Sequence, residues 1–404
     1  MRVLFLTHRL PYAPNRGDRV RAFHLVRTLA RRAQVEVVSL VHDDQEARQV
    51  TAVRNLGADV SVFRTAVVRG YANAAVALLG TRPLTHCLLD APGLSTHLQD
   101  IVRGRRPDVV LAYCSGMARF ALEPSLATVP LVLDMVDVDS AKWAALGDVA
   151  GWPKNWIYRR EAHRLGDFEV AAARRAAVTL VINERERESL LRLSPRANVR
   201  VVQNGVDTES LRPLRAPVGT PRVVFCGVMN YEPNVEGVLW FARNVWPAIR
   251  ARIPNSTFVI VGANPVESIS RLASADQGIE VTGTVRDVRE YLWSAAVSVA
   301  PLLTARGLQN KVLEAIAAGL PVVVTSSVFD GLPGEARPAC VLAESAAAFT
   351  QSVADLLTCS GEDRRRLAAR AQLARLGWDE QLAAVPAILA AAAGGRAPDR
   401  LIAD

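Results

Sequence analysis

Short runs of aliphatic and β-branched residues recur along the chain, and each is separated from the next by a stretch of helical character. The runs do not alternate apolar with polar residues, so we expect strands that are buried on both faces. Such strands occur in parallel sheets that are covered by helices. The predicted strands are residues 3–6, 35–41, 60–63, 109–112, 131–133 and 178–182 in the first half, and 223–226, 258–261, 279–282, 297–300 and 322–325 in the second.

The same pattern fills both halves of the chain, and a break separates them. Asn204-Gly205 is a turn signal, and the loose segment 216–221 that follows contains two prolines and a glycine. Because 404 residues are too many for one ordinary core, we expect two domains. The fold class is therefore predicted to be α/β, with two doubly wound, Rossmann-like domains that face one another across a cleft and a boundary after residue 207.

Composition excludes several classes of protein. Half of the residues are hydrophobic and 22% are charged, which indicates a globular chain rather than a disordered one. The longest apolar run, 382–393, is interrupted by Pro386 and is shorter than the ~20 residues that a membrane span needs. The N-terminus has no secretory signal pattern, so we expect a cytoplasmic protein. The five cysteines are scattered, which indicates neither a disulfide framework nor a zinc site.

The positive charge is concentrated in the first half. Residues 1–200 hold 29 Lys and Arg against 20 Asp and Glu, whereas residues 201–404 hold 19 against 20. No basic stretch interleaved with aromatic residues is present, so anionic lipid or a phosphorylated carrier is a better partner than nucleic acid. Residues 69–83 and 158–175 could contact an anionic inner-membrane surface as basic amphipathic helices, and packed helices are the alternative.

The segment 297–319 carries the clearest chemistry. A predicted strand ends at Pro301, Arg306-Gly307 occupies the following loop, and a helix is predicted over 308–318 with Lys311 in its first turn. A helix N-terminus is already positive, so Arg306 and Lys311 beside it repel one another unless an anion binds among them. A diphosphate would accept backbone N–H bonds and charge-assisted bonds from both side chains.

Glu314 lies three residues beyond Lys311 and shares its helix face. Its carboxylate can accept hydrogen bonds from two ribose hydroxyls. The alternative is a surface ion pair between Lys311 and Glu314, with Arg306 in solvent.

Three acidic residues, Asp134, Asp137 and Asp139, follow a predicted buried strand. Three interpretations stay open: a metal site, a solvated turn in which Asp139 or Ser140 caps the next helix, and an acceptor-binding role in which carboxylates bind sugar hydroxyls.

The chain resembles the retaining GT-B glycosyltransferases of glycosyltransferase family 4 over nearly its whole length. The similarity is carried by residues 204–207, 281–292, 311–319 and 321–325. Within that family it is most similar to the sugar transferases of bacterial exopolysaccharide loci and the PEP-CTERM protein-sorting system, which have segments like 10–18 and 134–140.

The resemblance implies an acceptor-side domain over residues 1–207, a nucleotide-sugar-binding domain over 208–376, and a C-terminal helix in 377–404 that crosses back to the first domain. Glu314 corresponds to the second glutamate of the family's E-x7-E pattern, which binds the nucleotide ribose, and Arg306 stands where the first glutamate is expected. The family's Arg and Lys after the first donor-domain strand are missing from 227–234, so Arg306 and Lys311 would supply the charge that binds the phosphates.

The implied activity is retaining transfer of a hexose from a nucleoside diphosphate sugar to a lipid-linked or oligosaccharide acceptor, with no metal or other cofactor. The alternatives are a catalytically impaired nucleotide-binding protein and a non-hydrolysing sugar-nucleotide epimerase. The candidate residues are Arg306, Lys311 and Glu314 for catalysis; Gly17, Asn230, Arg286, Gly307, Leu308, Gln309 and Asn310 for the donor; and Arg16, Asp18, Asp134, Asp137 and Asp139 for the acceptor.

Overall fold

The computed structural model describes residues 1–12, 17–213, 221–304 and 309–395, with only the backbone at residues 17, 18, 67 and 68. The described chain forms two compact units. The first contains Met1–Asn204 and the described residues from Gln381 onward, and the second is Gly205–Glu380. The N–H of Val206 donates to the carbonyl of Leu376 at 2.8 Å, and Val206 pairs with Gly377 in a parallel bridge. These bonds attach the chain to the second unit from Gly205 onward.

The first unit is built on a seven-stranded parallel sheet with the order β3-β2-β1-β4-β5-β6-β7. Strand β4, Val109–Tyr113, is buried along its whole length and packs against the helices Ser115–Ala121 and Val385–Ala393, as expected for a parallel sheet covered by helices. The strands are β1 Arg2–Thr7, β2 Gln34–Val41, β3 Asp59–Arg64, β4 Val109–Tyr113, β5 Leu131–Val136, β6 Val178–Val181 and β7 Val199–Val201.

Helices connect these strands, and α20, Val385–Ala393, packs against β4 and β5. The helices of this unit are α1 Gly17–Ala30, α2 Asp44–Ala47, α3 Val50–Arg54, α4 Val67–Ala77, α5 Leu84–Leu88, α6 Leu94–Arg105, α7 Ser115–Ala121, α8 Asp139–Val149, α9 Lys154–Arg175, α10 Glu184–Leu193 and α20 Val385–Ala393, with a 3-10 turn at Pro124–Leu126.

The second unit contains a six-stranded parallel sheet with the order β10-β9-β8-β11-β12-β13. Its strands are β8 Arg222–Cys226, β9 Thr257–Val261, β10 Ile279–Gly283, β11 Val297–Ala300, β12 Val322–Val324 and β13 Cys340–Leu342. Its helices are α11 Glu232–Asn244, α12 Trp246–Arg252, α13 Glu267–Ser270, α14 Arg289–Trp293, α15 Asn310–Ala317, α16 Ser326–Asp330, α17 Ala346–Thr358, α18 Gly361–Ala368 and α19 Trp378–Gln381, with 3-10 turns at Arg337–Ala339 and Leu373–Leu376.

The predicted fold class is confirmed, because both sheets are parallel and doubly wound. The helical sequence of residues 235–252 is divided between α11 and α12. The backbone breaks at Val245, and α12 restarts with Pro247 in its first turn. Proline has no N–H to donate and clashes with the preceding turn, so it is accommodated at the start of a new helix rather than inside a longer one.

Candidate functional site

Strands β8 and β11 are neighbours in the second sheet, and the connections from them run to opposite sides. Ligands in doubly wound sheets bind beyond the carboxyl ends of such a strand pair. Residues 227–231 follow β8 and lead into α11, and residues 301–309 follow β11 and lead into α15. The two loops therefore begin at adjacent positions on one edge of the sheet.

Lys311, in the first turn of α15, extends towards the end of β8. Its ammonium donates a hydrogen bond to Asn234 Oδ1 and lies 4.9 Å from the centroid of the Phe225 ring. Asn234 is buried, and its Nδ2 donates to the carbonyl of Val228 at 2.9 Å. Burial lowers the pKa of the Lys311 side chain to about 8. Lys311 is thus a half-buried cation that has lost much of its hydration and that binds only neutral groups among the described residues.

The loop after β8 is held close to the loop after β9. Gly262 approaches Gly227 so closely that a Cβ atom at residue 262 would lie 1.6 Å from the Gly227 carbonyl oxygen. A Cβ atom at Gly227 would lie 2.8 Å from Asn234 Nδ2. Glycine at both positions therefore keeps the backbone of this loop against Asn234, the partner of Lys311.

Glu314 is half-buried, three residues after Lys311. Burial raises the pKa of its carboxyl group to about 7, against the opposing effect of the Lys311 ammonium. The two side chains do not form the surface ion pair that was one alternative, because Lys311 is directed at Asn234 and Phe225 instead. A partly buried carboxylate beside a cation is suited to accept hydroxyl hydrogen bonds from a polar ligand.

Among the described residues no side chain caps the N-terminus of α15, and the first turn of the helix contains no acidic residue. The helix begins at Asn310, two residues later than predicted; Gln309 is its N-cap residue and is half-buried, whereas Asn310 is exposed. Arg306, Gly307 and Leu308 lie outside the described residues, so their assignments stay predictions. An uncapped helix start beside a half-buried lysine is suited to bind a phosphate group.

Asn230 and Arg286, two further donor-site candidates, are both exposed. Asn230 lies in the loop that Asn234 anchors, and that loop therefore passes close to Lys311. Arg286 follows β10, two strands away from β8 in the sheet. Within the described part of the chain no hydrogen bond joins Arg286 to Lys311, Asn234 or Glu314. Arg289, nearby, is held by Asp287 at 2.7 Å.

Nucleotide affinity is expected to depend on pH in a direction set by Lys311. Its ammonium form binds phosphate, so affinity should fall as the pH rises through about 8, the pKa of the free protein, by up to about tenfold per pH unit. Calorimetric titration with UDP between about pH 7 and pH 9.5 measures this. The Lys311→Arg variant keeps its charge throughout and should show a flatter profile; equal slopes in the two proteins would contradict the assignment.

In the first unit, Asp134 is fully buried at the end of β5. Its Oδ2 accepts a hydrogen bond from Arg21 Nε at 2.8 Å, and Arg21 is also buried. Arg21 Nη1 donates to the carbonyl of Gln203 at 3.2 Å and to Asn204 Oδ1 at 3.1 Å. Asp134 therefore joins β5 to α1 and to the chain that follows β7, and in this position it offers no surface to an acceptor.

Asp137 and Asp139 are half-buried and share one cation. Lys142 Nζ donates to Asp137 Oδ2 at 2.7 Å and to Asp139 Oδ1 at 3.4 Å, and Ser115 Oγ donates to Asp139 Oδ2 at 2.7 Å. The interpretation that Asp139 or Ser140 caps the next helix is wrong, because α8 begins at Asp139 and its N-cap is Val138. An acceptor role for Asp137 and Asp139 stays a prediction.

Ser140 is bonded to a buried acid on α9. Its Oγ and its backbone N–H both donate to Glu169, and burial raises the pKa of that carboxyl group to about 7. This contact fixes the first turn of α8, the helix that carries Asp139. The side chains of Ser140 and Glu169 are both buried, so they position Asp139 rather than contact a ligand.

The loop before α1 is only partly described. Arg16 lies outside the described residues, and Gly17 and Asp18 are seen only as the first two backbone positions of α1. Their predicted contacts with the donor or the acceptor stay predictions. No group of three or more potential metal ligands occurs within the described ranges.

Two residues with structural roles at these sites were not predicted from the sequence. Asn234 shares the buried face of α11 with Val238 and Phe241, and an amide at helical spacing among apolar residues is a signal that could have identified it. Arg21 offers no such signal, since its neighbours in the sequence do not reveal that Asp134, 113 residues away, is its partner.

Two family models match the chain. The model described as "Glycosyl transferase 4-like domain" matches residues 16–205, and the model described as "Glycosyl transferases group 1" matches residues 220–359. Together they cover most of the chain. No curated protein sequence matches it.

The chain is similar in fold to several solved structures. HepE from Anabaena in complex with UDP and glucose has a TM-score of 0.64 at 14% identity, with coverage of 97% of this chain and 100% of the other. Sucrose-phosphate synthase from Thermosynechococcus elongatus has a TM-score of 0.59 at 15% identity, with 96% and 98% coverage. The α,α-trehalose 6-phosphate synthase from Burkholderia multivorans has a TM-score of 0.58 at 11% identity, with 98% and 99% coverage.

Proposed function

Since the chain belongs to the group 1 glycosyltransferases of the GT-B fold, we propose that it transfers a hexose from a nucleoside diphosphate sugar to a lipid-linked or oligosaccharide acceptor, with retention at the anomeric carbon. The observation that carries this proposal is the half-buried Lys311 ammonium beside the uncapped start of α15. Its depressed pKa indicates a cation that has been partly desolvated, and among the described residues no anionic partner lies within hydrogen-bond reach of it. A diphosphate would supply that partner.

The proposed mechanism uses electrostatic stabilisation of the leaving group. As the bond to the sugar breaks, negative charge develops on the departing diphosphate, and Lys311, Arg306 and the N–H groups of α15 would stabilise it. Glu314 would hold the ribose hydroxyls, and no metal ion is needed for these steps. Retention and the ribose role of Glu314 come from the resemblance to family 4.

The proposed setting is exopolysaccharide biosynthesis of the PEP-CTERM type, with the protein in the cytoplasm at the inner face of the cell membrane. Segments 10–18 and 134–140 support this assignment by their similarity to that subgroup. UDP is the first nucleotide to test, because HepE has been solved with UDP and glucose. None of the helices in the described ranges has both the length and the apolar character of a membrane span.

A panel of nucleotides and acceptors tests the proposal. Thermal shift with UDP, GDP, ADP and their sugars identifies the donor, and release of free nucleoside diphosphate is then followed with and without acceptor. We expect release that depends on the acceptor and an α-linked product from an α-linked donor. Interconversion of the sugar nucleotide without acceptor would indicate an epimerase, and tight nucleotide binding without either reaction would indicate an impaired binding protein.

A further inference from the structure

The outward face of α4 is apolar, the reverse of what a surface helix normally shows. On the helix, Tyr71 is 66% exposed and Val76 is 76% exposed, and Ala72 and Ala75 are exposed as well. Leu79, in the turn after the helix, is 94% exposed. These positions follow the i, i+4 spacing of one helix face. No acidic residue occurs in residues 66–83.

A second apolar surface lies next to this helix. On α8, Leu146 is 47% exposed and Val149 is 84% exposed. Trp152, just before α9, is 85% exposed, and Trp156, in its first turn, is 52% exposed. We call these side chains, together with Tyr71, Val76 and Leu79, the apolar patch. They are neighbours because Arg160 on α9 donates to the carbonyls of Leu78 at 2.9 Å and Gly80 at 2.8 Å, one turn from Trp156.

Basic residues flank the side chains of the apolar patch along the chain. Residues 66–83 and 141–160 contain six Lys and Arg residues and one acidic residue, Asp148. Arg82, Lys154 and Arg159 are exposed, and Asp148 is paired with Arg159 at 3.4 Å. Tryptophan and tyrosine beside arginine and lysine are the residues found where a protein surface enters the headgroup region of a bilayer.

We propose that the apolar patch is a membrane-docking surface that inserts Leu79, Val149, Trp152 and Trp156 into the interface of an anionic bilayer, with Arg82 and Lys154 on the lipid headgroups. This extends the proposed function, on which it rests for the cytoplasmic leaflet as the partner. Of the segment 158–175 that the sequence analysis placed at the membrane, this proposal uses only the start. Arg160 and Arg175 bind backbone carbonyls of their own unit, so the docking surface is α4, the end of α8 and the start of α9.

Vesicle co-sedimentation without nucleotide tests the proposal. The wild-type chain should bind phosphatidylcholine vesicles that contain about one third phosphatidylglycerol, and bind pure phosphatidylcholine much more weakly. The double variant Leu79→Gln, Trp152→Gln should lose about tenfold or more in partitioning. The double variant Arg82→Gln, Lys154→Gln should lose the preference for anionic vesicles.

Three controls make the outcome decisive. Leu193→Gln removes an exposed leucine, 44% accessible, that lies outside the patch, and it should bind vesicles like the wild type. Circular dichroism should show the variants at residues 79, 82, 152, 154 and 193 folded, because these side chains are exposed. Lys311→Ala should bind vesicles normally, so a failure of the donor site is separable from a failure of docking.

Equal binding of the wild type and the Leu79→Gln, Trp152→Gln variant, or no binding by either, would overturn the proposal. So would a wild-type dimer without vesicle affinity that this variant converts to a monomer, since the patch would then belong to a second copy of the chain. Light scattering after size-exclusion chromatography measures that outcome.

Discussion

Replacement of Lys311 by alanine is expected to weaken nucleoside diphosphate binding by about tenfold or more, equivalent to at least ~1.4 kcal/mol, and to reduce sugar transfer further. The reason is that Lys311 is the cation that the structure places beside the uncapped start of α15, where burial has already removed much of its hydration. Electrostatic interactions strengthen when water is excluded, so loss of this charge should affect the transition state more than the ground state. Calorimetry with UDP and steady-state kinetics measure the two effects.

The matched control is Lys154→Ala, which removes an exposed lysine from the other unit. It should leave nucleotide affinity unchanged. The Lys311→Ala variant should fold normally, because the change removes a desolvated charge and leaves Asn234 bonded through its Nδ2 to Val228. Unchanged affinity in a folded Lys311→Ala protein would remove the assignment of the donor site to α15.

Much of this site could be predicted from local sequence, because its residues lie in one strand-loop-helix segment. Strand 297–300 and the helix that carries Lys311 and Glu314 have the predicted pattern, and the helix starts two residues later than expected. Their spacing along α15 determines that they share a face, and burial then determines their pKa values. What the spacing could not reveal is that Lys311 binds Asn234 rather than Glu314, since that contact joins positions 77 residues apart.

Two of the described strands lack the continuous apolar run from which the other strands were predicted. Both strands that the sequence pattern missed, β7 and β13, have three residues each and lie at the edge of a sheet. Edge strands are less buried than central ones, so the continuous apolar run that reveals a central strand is absent. In β7 the apolar run is interrupted by Arg200, and in β13 all three residues are partly accessible.

Loss of the Asp134 carboxylate is expected to destabilise the first unit by about 3–5 kcal/mol, because it leaves a buried guanidinium without its counter-ion. Arg21 and Asp134 are both inaccessible to solvent, and the pair joins α1, β5 and the segment after β7. Urea unfolding of Asp134→Ala, followed by tryptophan fluorescence, measures the loss. The acceptor role that the sequence suggested for Asp134 makes a different forecast, namely normal stability with weakened acceptor binding.

The double variant Arg21→Met, Asp134→Leu separates these two forecasts. Within the described residues, Asp134 Oδ1 and Arg21 Nη2 are buried without hydrogen-bond partners, so the pair is incompletely satisfied. Replacing both members with apolar side chains removes these costs together, and should recover most of the stability that the single variant loses. If Asp134 only supports the fold, acceptor kinetics should recover with it. A stable double variant that still fails to use its acceptor would instead place this carboxylate in the acceptor site.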